Sequence, residues 1–574
     1  MGNVQKQKSV VYTNKAKCRD CYRCIRACPV NAIKIESDQA SVIPERCIAC
    51  GTCIRECPQE AKAYASAYEA VMQMLENDLQ PAVSLAPSFV SLFESWEIKR
   101  LASALRQAGF GFITETSVAA YHVSQKTSDY IQRKDDNVFI SSACPAVVNY
   151  IEKYFPRLIP SLVPVLSPAM AHGRMLKKKL GREVPVVFAG PCVAKKEEAE
   201  WPENKKHVDA VLTFSELLRI LEAKSISLKS CEESEFDEKV PGHARLYPLE
   251  GGLLKTAGMS TDLLSENIIT VSGSQELEAL LSDLSPANGK TIIEPLFCKG
   301  GCINGPDMPG DQSCHASRTK VFDYYQSEKI EADTPDTQYP INTSFQYKNP
   351  GYQNSFSEDE IRSVLAETGK AARENQLNCG ACGYNSCREK AIAVLQGLAE
   401  PEMCIPFMRR LAEQKSDTLF RTDPNGIIIL DEKLRIKSMN PAFKKMFSCS
   451  DAIIDKPVSY LIDPEPFEKL LLDDRKPVHK IARYSNYNLV CHQIHYAISE
   501  ENQYVGIFVD ITEAQSNEKK LRDLQSNAIL QAQELLEHQT EMARKMTRFL
   551  GENTAKGEML MRDLIDALDK ENGS

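Results

Sequence analysis

The chain has little that would carry it to nucleic acid or into a membrane. Its 69 Lys and Arg are outnumbered by 78 Asp and Glu, for a formal charge of −9. No basic cluster is dense enough to neutralise a phosphate backbone, which argues against a nucleic-acid partner. No run of about 18 apolar residues occurs, so no transmembrane helix is expected. The opening MGNVQKQKSV lacks the apolar core of a signal peptide, and Lys6 stands where a myristoylation motif needs Ser or Thr. These absences lead to the expectation of a cytoplasmic protein. Hydrophobic content of 43% and charged content of 26% are ordinary for a soluble globular chain. Its 574 residues leave room for several domains, about one per 150 residues.

Cysteine, by contrast, is abundant, at 20 residues. In a reducing compartment closely spaced cysteines point to metal ligands rather than disulfides. Residues 18 to 29 read CRDCYRCIRACP and residues 47 to 58 read CIACGTCIRECP, two copies of C-x2-C-x2-C-x3-C-P. Three close thiolates wrap one face of a 4Fe–4S cube, and the fourth reaches across to the other cluster. On that pattern Cys18, Cys21, Cys24 and Cys57 hold one cluster, and Cys47, Cys50, Cys53 and Cys28 hold the second. A zinc site would not use this doubled pattern. Pro29 and Pro58 end each wrap by fixing φ. Residues 1–78 are read as a ferredoxin-like domain with two 4Fe–4S clusters, with a helix expected over 61–78.

From 79 to 330 short apolar runs alternate with amphipathic stretches, as in VFISSACP, VPVVFAGPC and VDAVLTFSELLRILE. Strands feeding helices predict an α/β domain. Cys144 and Cys192 fall just past strand-like runs, where open α/β sheets place their sites. Cys298 and Cys302 flank a Lys-Gly-Gly turn in EPLFCKGGCING.

Residues 331–358 are polar and rich in Pro, Asn, Tyr and Ser, which reads as a linker. Over 359–412, Cys379, Cys382, Cys387 and Cys404 are spaced C-x2-C-x4-C-x16-C. Zinc competes for such a thiolate set, but the tight first three and the glycine-rich wrap favour a third 4Fe–4S cluster. Residues 413–512 carry no cysteine constellation. Cys491 and His492 lie in a strand-like run, so they point to opposite faces and are read as structural. The tail, 513–574, is expected to be helical, with Leu521, Ala528, Leu535, Met542 and Phe549 repeating every seven residues. An imperfect coiled coil and a homodimer are expected; the alternative is a helix packed on its own domain. No ATP-binding glycine boxes follow His538, so it is not read as a kinase phosphoacceptor. Cys231, Cys314, Cys449 and Cys491 are left as plain thiols.

The loops around Cys144 (SSACPAVVNYIEKYFP), Cys192 (AGPCVAKKEE) and Cys298/Cys302 together resemble the three signature loops of the iron-only (FeFe) hydrogenases. The resemblance covers about residues 80 to 330. It implies an H-cluster: a 4Fe–4S cubane joined to a diiron unit carrying CO, cyanide and a dithiolate amine. Cys144, Cys192 and Cys298 would complete the cubane's ligation, and Cys302 would hold its fourth iron and bridge to the diiron unit. Lys195 matches the family lysine beside one cyanide, and Ser88 the donor to the other. Residues 360 to 410 resemble a small iron–sulfur domain of corrinoid-linked and membrane redox proteins. Residues 414 to 512 resemble a PAS domain of α+β type. The order as a whole resembles the sensory hydrogenases of anaerobic bacteria.

The departures bear on function. Ala143 replaces the cysteine that shuttles protons in typical members, and a methyl carries no proton. Gln125, Lys126 and Thr127 stand where the outer acid is expected. Gly190 and Leu296 replace methionines beside the cluster, and Ala169 a glutamine, which predicts a looser site. The resulting expectation is a hydrogen or redox sensor with slow 2 H⁺ + 2 e⁻ ⇌ H₂ chemistry. Its partners would be H₂ and protons, a redox protein such as ferredoxin, and a phosphatase or kinase. The alternatives are an ordinary ferredoxin-linked hydrogenase with regulatory domains, or an iron–sulfur redox sensor indifferent to H₂.

Overall fold

The structure, a computed structural model, describes residues 9–512 apart from positions 20, 37–38, 135–136, 260–266, 285–289, 310–312, 328–338, 352–355, 473–476 and 499–501, together with scattered positions between 531 and 542. It divides into two compact units, Met1–Pro401 and Glu402–Ser574.

The first unit opens with two antiparallel ribbons. Val11–Thr13 pairs with Lys62–Tyr64, and Ile33–Glu36 pairs with Gln39–Val42. The duplicated motif produces a duplicated backbone. Helices Arg23–Ala27 and Thr52–Arg55 each follow a left-handed residue, Tyr22 at φ 56° and Gly51 at φ 76°. The helix expected over 61–78 is only partly present: Lys62–Tyr64 is a strand and helix starts at Tyr68. Pairing with Val11–Thr13 supplies ladder bonds that local helical propensity did not anticipate.

The α/β region holds two parallel sheets. One runs Phe112–Glu115, Ala82–Leu85, Val186–Ala189, Ala210–Leu212; the other runs Ile268–Ser272, Thr291–Leu296, Val138–Ile140. Ala82–Leu85 and Val186–Ala189 are buried at every position, as parallel strands covered on both faces must be. Helix Phe214–Ala223 starts with a capping box, in which Thr213 and Glu216 satisfy each other's backbone N–H groups. Residues 339–348, read as linker, lie against this region. Ile341 is 2% exposed, its carbonyl accepts from Leu166 N at 2.8 Å, and Lys348 pairs with Glu152 at 2.6 Å. Helices Glu358–Glu367 and Cys387–Leu395 then pack through Ile361, Val364, Leu365 and Ala391.

The second unit is built on a five-stranded antiparallel sheet, in the order Ile436–Met439, Gly426–Leu430, Gln503–Asp510, Leu489–Ile498, Val478–Tyr484. Phe443, Phe447, Phe467 and Phe508 fill one face. In strand Leu489–Ile498 burial alternates as expected, with Cys491 fully buried and His492 half-buried. Most of the tail, including Leu521, Ala528 and Phe549, lies outside the described residues, and so does the heptad seam. Leu535 packs on the apolar face formed by Ile427, Val490, Val505 and Ile507.

Candidate metal centre

The two ferredoxin motifs enclose two separate cavities. Cys18, Cys21, Cys24 and Cys57 line one of them. Cys28, Cys47, Cys50 and Cys53 line the other. Each cavity thus takes three sulfurs from one repeat and one from the other. The repeat also appears in the hydrogen bonds: Ala32 N donates to Cys28 Sγ and Ala61 N to Cys57 Sγ, both at 3.2 Å. Burial pushes the Cys28 and Cys47 thiols up to about 12, and Cys24 up to about 11 despite Lys62. Thiols so buried stay protonated unless a bound cation offsets the desolvation of the thiolates.

The α/β region brings together the single cysteines. Cys144 follows strand Val138–Ile140 and caps helix Pro145–Tyr154. Cys192 follows strand Val186–Ala189, and Cys298 follows strand Thr291–Leu296. All three lie at the carboxyl ends of parallel strands, drawn from both sheets. Cys302 is folded back beside Cys298 by the Gly-Gly turn. Gly301, at φ 101°, would put any Cβ 2.2 Å from the Pro248 carbonyl oxygen, and Cys302 N donates to that same oxygen at 2.8 Å.

Electrostatic coupling shows that the four sulfurs share one locus. Burial raises the Cys298 and Cys302 thiols strongly, and each is raised again by Cys144 and Cys192. Cys192 rises to about 11 through burial and Cys144, and Lys195 opposes the rise. Lys195 is buried in an ion pair with Glu198 at 2.9 Å, and its ammonium reaches the Ala143 carbonyl at 3.4 Å. Ser88 follows strand Ala82–Leu85, is 0% exposed, and its hydroxyl has no partner. Four thiols with an ammonium beside them suit an anionic iron–sulfur group. Among the described residues no three His, Cys, Asp or Glu side chains close around a single metal ion.

Cys50 is common ground between the two assemblies. It lines a ferredoxin cavity, and with Cys298 and Arg55 it also lines a cleft of about 190 Å³. From the α/β side, Lys153 Nζ donates to Cys47 O at 2.5 Å and Tyr154 OH to Arg46 O at 2.8 Å. Both belong to the helix that Cys144 caps.

At two positions the structure adds detail to the sequence expectations. Gln125, which stands where an outer acid was expected, donates to Thr256 O at 3.4 Å. Gly190 does not loosen the site, because a Cβ there would lie 2.8 Å from the Phe188 ring and from Ala86. The Phe188 ring takes the space that the family methionine would need. Sequence reading also missed Glu198, whose carboxylate fixes Lys195; the i,i+3 spacing in KKEE was the available signal.

Residues 80–306 match the family profile of the iron only hydrogenase large subunit, C-terminal domain. Residues 10–58 match a 4Fe-4S dicluster domain, 375–406 an Fe-S cluster domain, and 415–481 a PAS domain. Iron hydrogenase 1 of Clostridium pasteurianum is 25% identical over 378 residues, covering 53% of this chain and 66% of that protein. The periplasmic Fe hydrogenase large subunit of Nitratidesulfovibrio vulgaris is 25% identical, covering 52% and 87%. The cytosolic Fe-S cluster assembly factor NAR1 of Yarrowia lipolytica is 21% identical, covering 45% and 70%. An FeFe-hydrogenase of Chlamydomonas reinhardtii aligns with TM-score 0.41 at 18% identity, over 50% of this chain and 100% of that one. The PAS domain of an HTR-like protein from Haloarcula marismortui aligns with TM-score 0.16 at 15% identity, over 18% and 99%. The molecule is an iron–sulfur protein with a PAS domain. Over residues 80–306 it is similar to the iron-only hydrogenases.

Proposed function

We propose that the chain is a sensory FeFe hydrogenase. It binds and slowly oxidises H₂ at an H-cluster held by Cys144, Cys192, Cys298 and Cys302, and passes the redox state to its PAS domain and C-terminal helix. The observation that supports this reading is the convergence of those four thiols with Lys195. When bound, the group supplies 2 H⁺ + 2 e⁻ ⇌ H₂. The chain's part is to hold it in a dry, charge-complementary site, with Lys195 facing anionic ligands and Ser88 donating a hydrogen bond. At Ala143 the chain offers no proton to the site, so turnover is low. Low turnover suits a sensor, whose output is the population of a redox state.

The ferredoxin cysteines hold two 4Fe–4S clusters in this reading, with ligands crossed between repeats. Cys379, Cys382, Cys387 and Cys404 hold a third. The chain works in the cytoplasm as a homodimer, exchanges electrons with a ferredoxin, and signals to a phosphatase or kinase. A second reading is favoured by the relatives named as cluster assembly factors: the domain holds iron–sulfur clusters without the diiron unit and responds to potential alone. Infrared spectroscopy of protein matured in a competent host separates the two. Bands from CO and cyanide support the sensory hydrogenase; their absence overturns it and leaves the cluster-only reading.

A further inference from the structure

We propose that the third cysteine loop, 379–387, is docked on the ferredoxin domain so that its cluster exchanges single electrons with the ferredoxin pair. The dock is helix Arg23–Ala27, which joins the two cysteine cavities: Cys24 within it lines one, and Cys28 at its end lines the other. Gly383, at φ 92°, rests on this helix. A Cβ there would lie 2.6 Å from Ile25 Cγ2 and 3.2 Å from Arg26 N, so only glycine permits the approach.

Arg26 ties the two loops together. Its guanidinium donates to Cys21 O at 3.3 Å and to Ala381 O at 3.2 Å, one carbonyl from each cysteine loop. A second tie, from Arg46 to Gln396 Oε1 at 3.3 Å, fixes the far end. Tyr384 fills the seam between them. It is 4% exposed, its phenol feels both Cys382 and Cys28, and its hydroxyl is buried without a partner. An orphaned donor between two cysteine loops fits a hydrogen bond to cluster sulfur, which would favour the reduced cluster.

The transfer moves one electron. A reduced ferredoxin-domain cluster is oxidised by one electron and the third cluster is reduced by one, with no bond made and no proton moved. Under the sensory reading above, on which this rests, the electron comes from H₂. The test uses dithionite instead, so its outcome is independent of any hydrogen chemistry.

The full chain with reconstituted clusters is reduced in steps and followed by electron paramagnetic resonance. The expected result is broadened, interacting signals. In a Cys379→Ser/Cys382→Ser variant the remaining clusters should sharpen and saturate at severalfold lower microwave power. Line shapes and saturation that stay unchanged on removal of the third cluster overturn the proposal. If the double variant also loses ferredoxin-domain iron, Gly383→Val decides, since it keeps every ligand. Weakened broadening at unchanged iron content supports the dock, and unchanged broadening refutes it.

Discussion

The ammonium of Lys195 lies 3.4 Å from the carbonyl oxygen of Ala143 and 2.9 Å from the Glu198 carboxylate. The lysine proposed to face the cofactor's ligands is therefore packed against the residue whose methyl, in that reading, ends the proton route. Ala143→Cys restores a thiol at that point without disturbing the backbone carbonyl that Lys195 uses. Hydrogen turnover of the matured protein should rise by about 10²- to 10⁴-fold, the range a positioned general acid contributes. A rate that does not move would remove the broken relay from the account.

Lys195→Met strands the Glu198 carboxylate, which is 3% exposed, without its cation. Leaving one member of a buried pair uncompensated costs about 3–5 kcal/mol. Denaturant unfolding of the cofactor-free chain should show a loss of that order, and Lys195→Met/Glu198→Leu should recover much of it.

Ser88→Ala tests the orphaned hydroxyl in both states. Without cofactor, removing a buried polar group that has no partner should be neutral or stabilising, by up to ~1–3 kcal/mol. In the matured protein it should shift a cyanide infrared band, because that hydroxyl is the donor proposed for the ligand. A band that stays in place would dissociate Ser88 from the site.

Crossed ligation makes a prediction that ordinary ligation does not. Cys28→Ser should abolish the cluster of Cys47, Cys50 and Cys53 and spare the one held by Cys18, Cys21, Cys24 and Cys57. Iron content should fall by ~4 per chain, with one ferredoxin-type resonance signal retained. Loss of the first cluster instead would reassign Cys28.

In the PAS domain, His495 is fully buried against Phe467 and Phe508, and burial lowers its pKa from 6.5 to about 3. Between those values the unfolded chain binds a proton that the folded chain refuses. Stability therefore rises with pH across that window and falls as pH drops from 6.5 toward 3, by at most about 1.4 kcal/mol per pH unit. Thermal melts of the chain at graded pH should show the second unit weakening on acidification. His495→Leu should flatten that response.

The cysteine spacing made the ferredoxin ligand sets legible without a structure, because a thiolate triplet within ten residues leaves the chain little choice of path around a cube. The single cysteines were legible only through the strand-like text before each of them. By itself VFISSACP says that Cys144 lies past a strand, not that the strand neighbours the one ending at Cys298. Lys62–Tyr64 and residues 339–348 were misplaced for a related reason: their ladder bond and ion-pair partners are distant in sequence. Gly190 was read from the size of the missing side chain, when the Phe188 ring fills that space.

By itself, then, the sequence determined the chemistry available: which sulfurs exist, how the local triplets wrap, where the strands end, and that position 143 holds no proton. Tertiary structure alone decided which of these meet. Two parallel sheets bring Cys144, Cys192, Cys298 and Cys302 to one locus, a glutamate one helical turn away anchors Lys195, and a glycine lets the third cysteine loop settle on the first. The physical reason is that spacing along a chain constrains only neighbours within a turn or two. Convergence of distant loops is set by sheet pairing and core packing, where each contact is small and only their sum selects the arrangement.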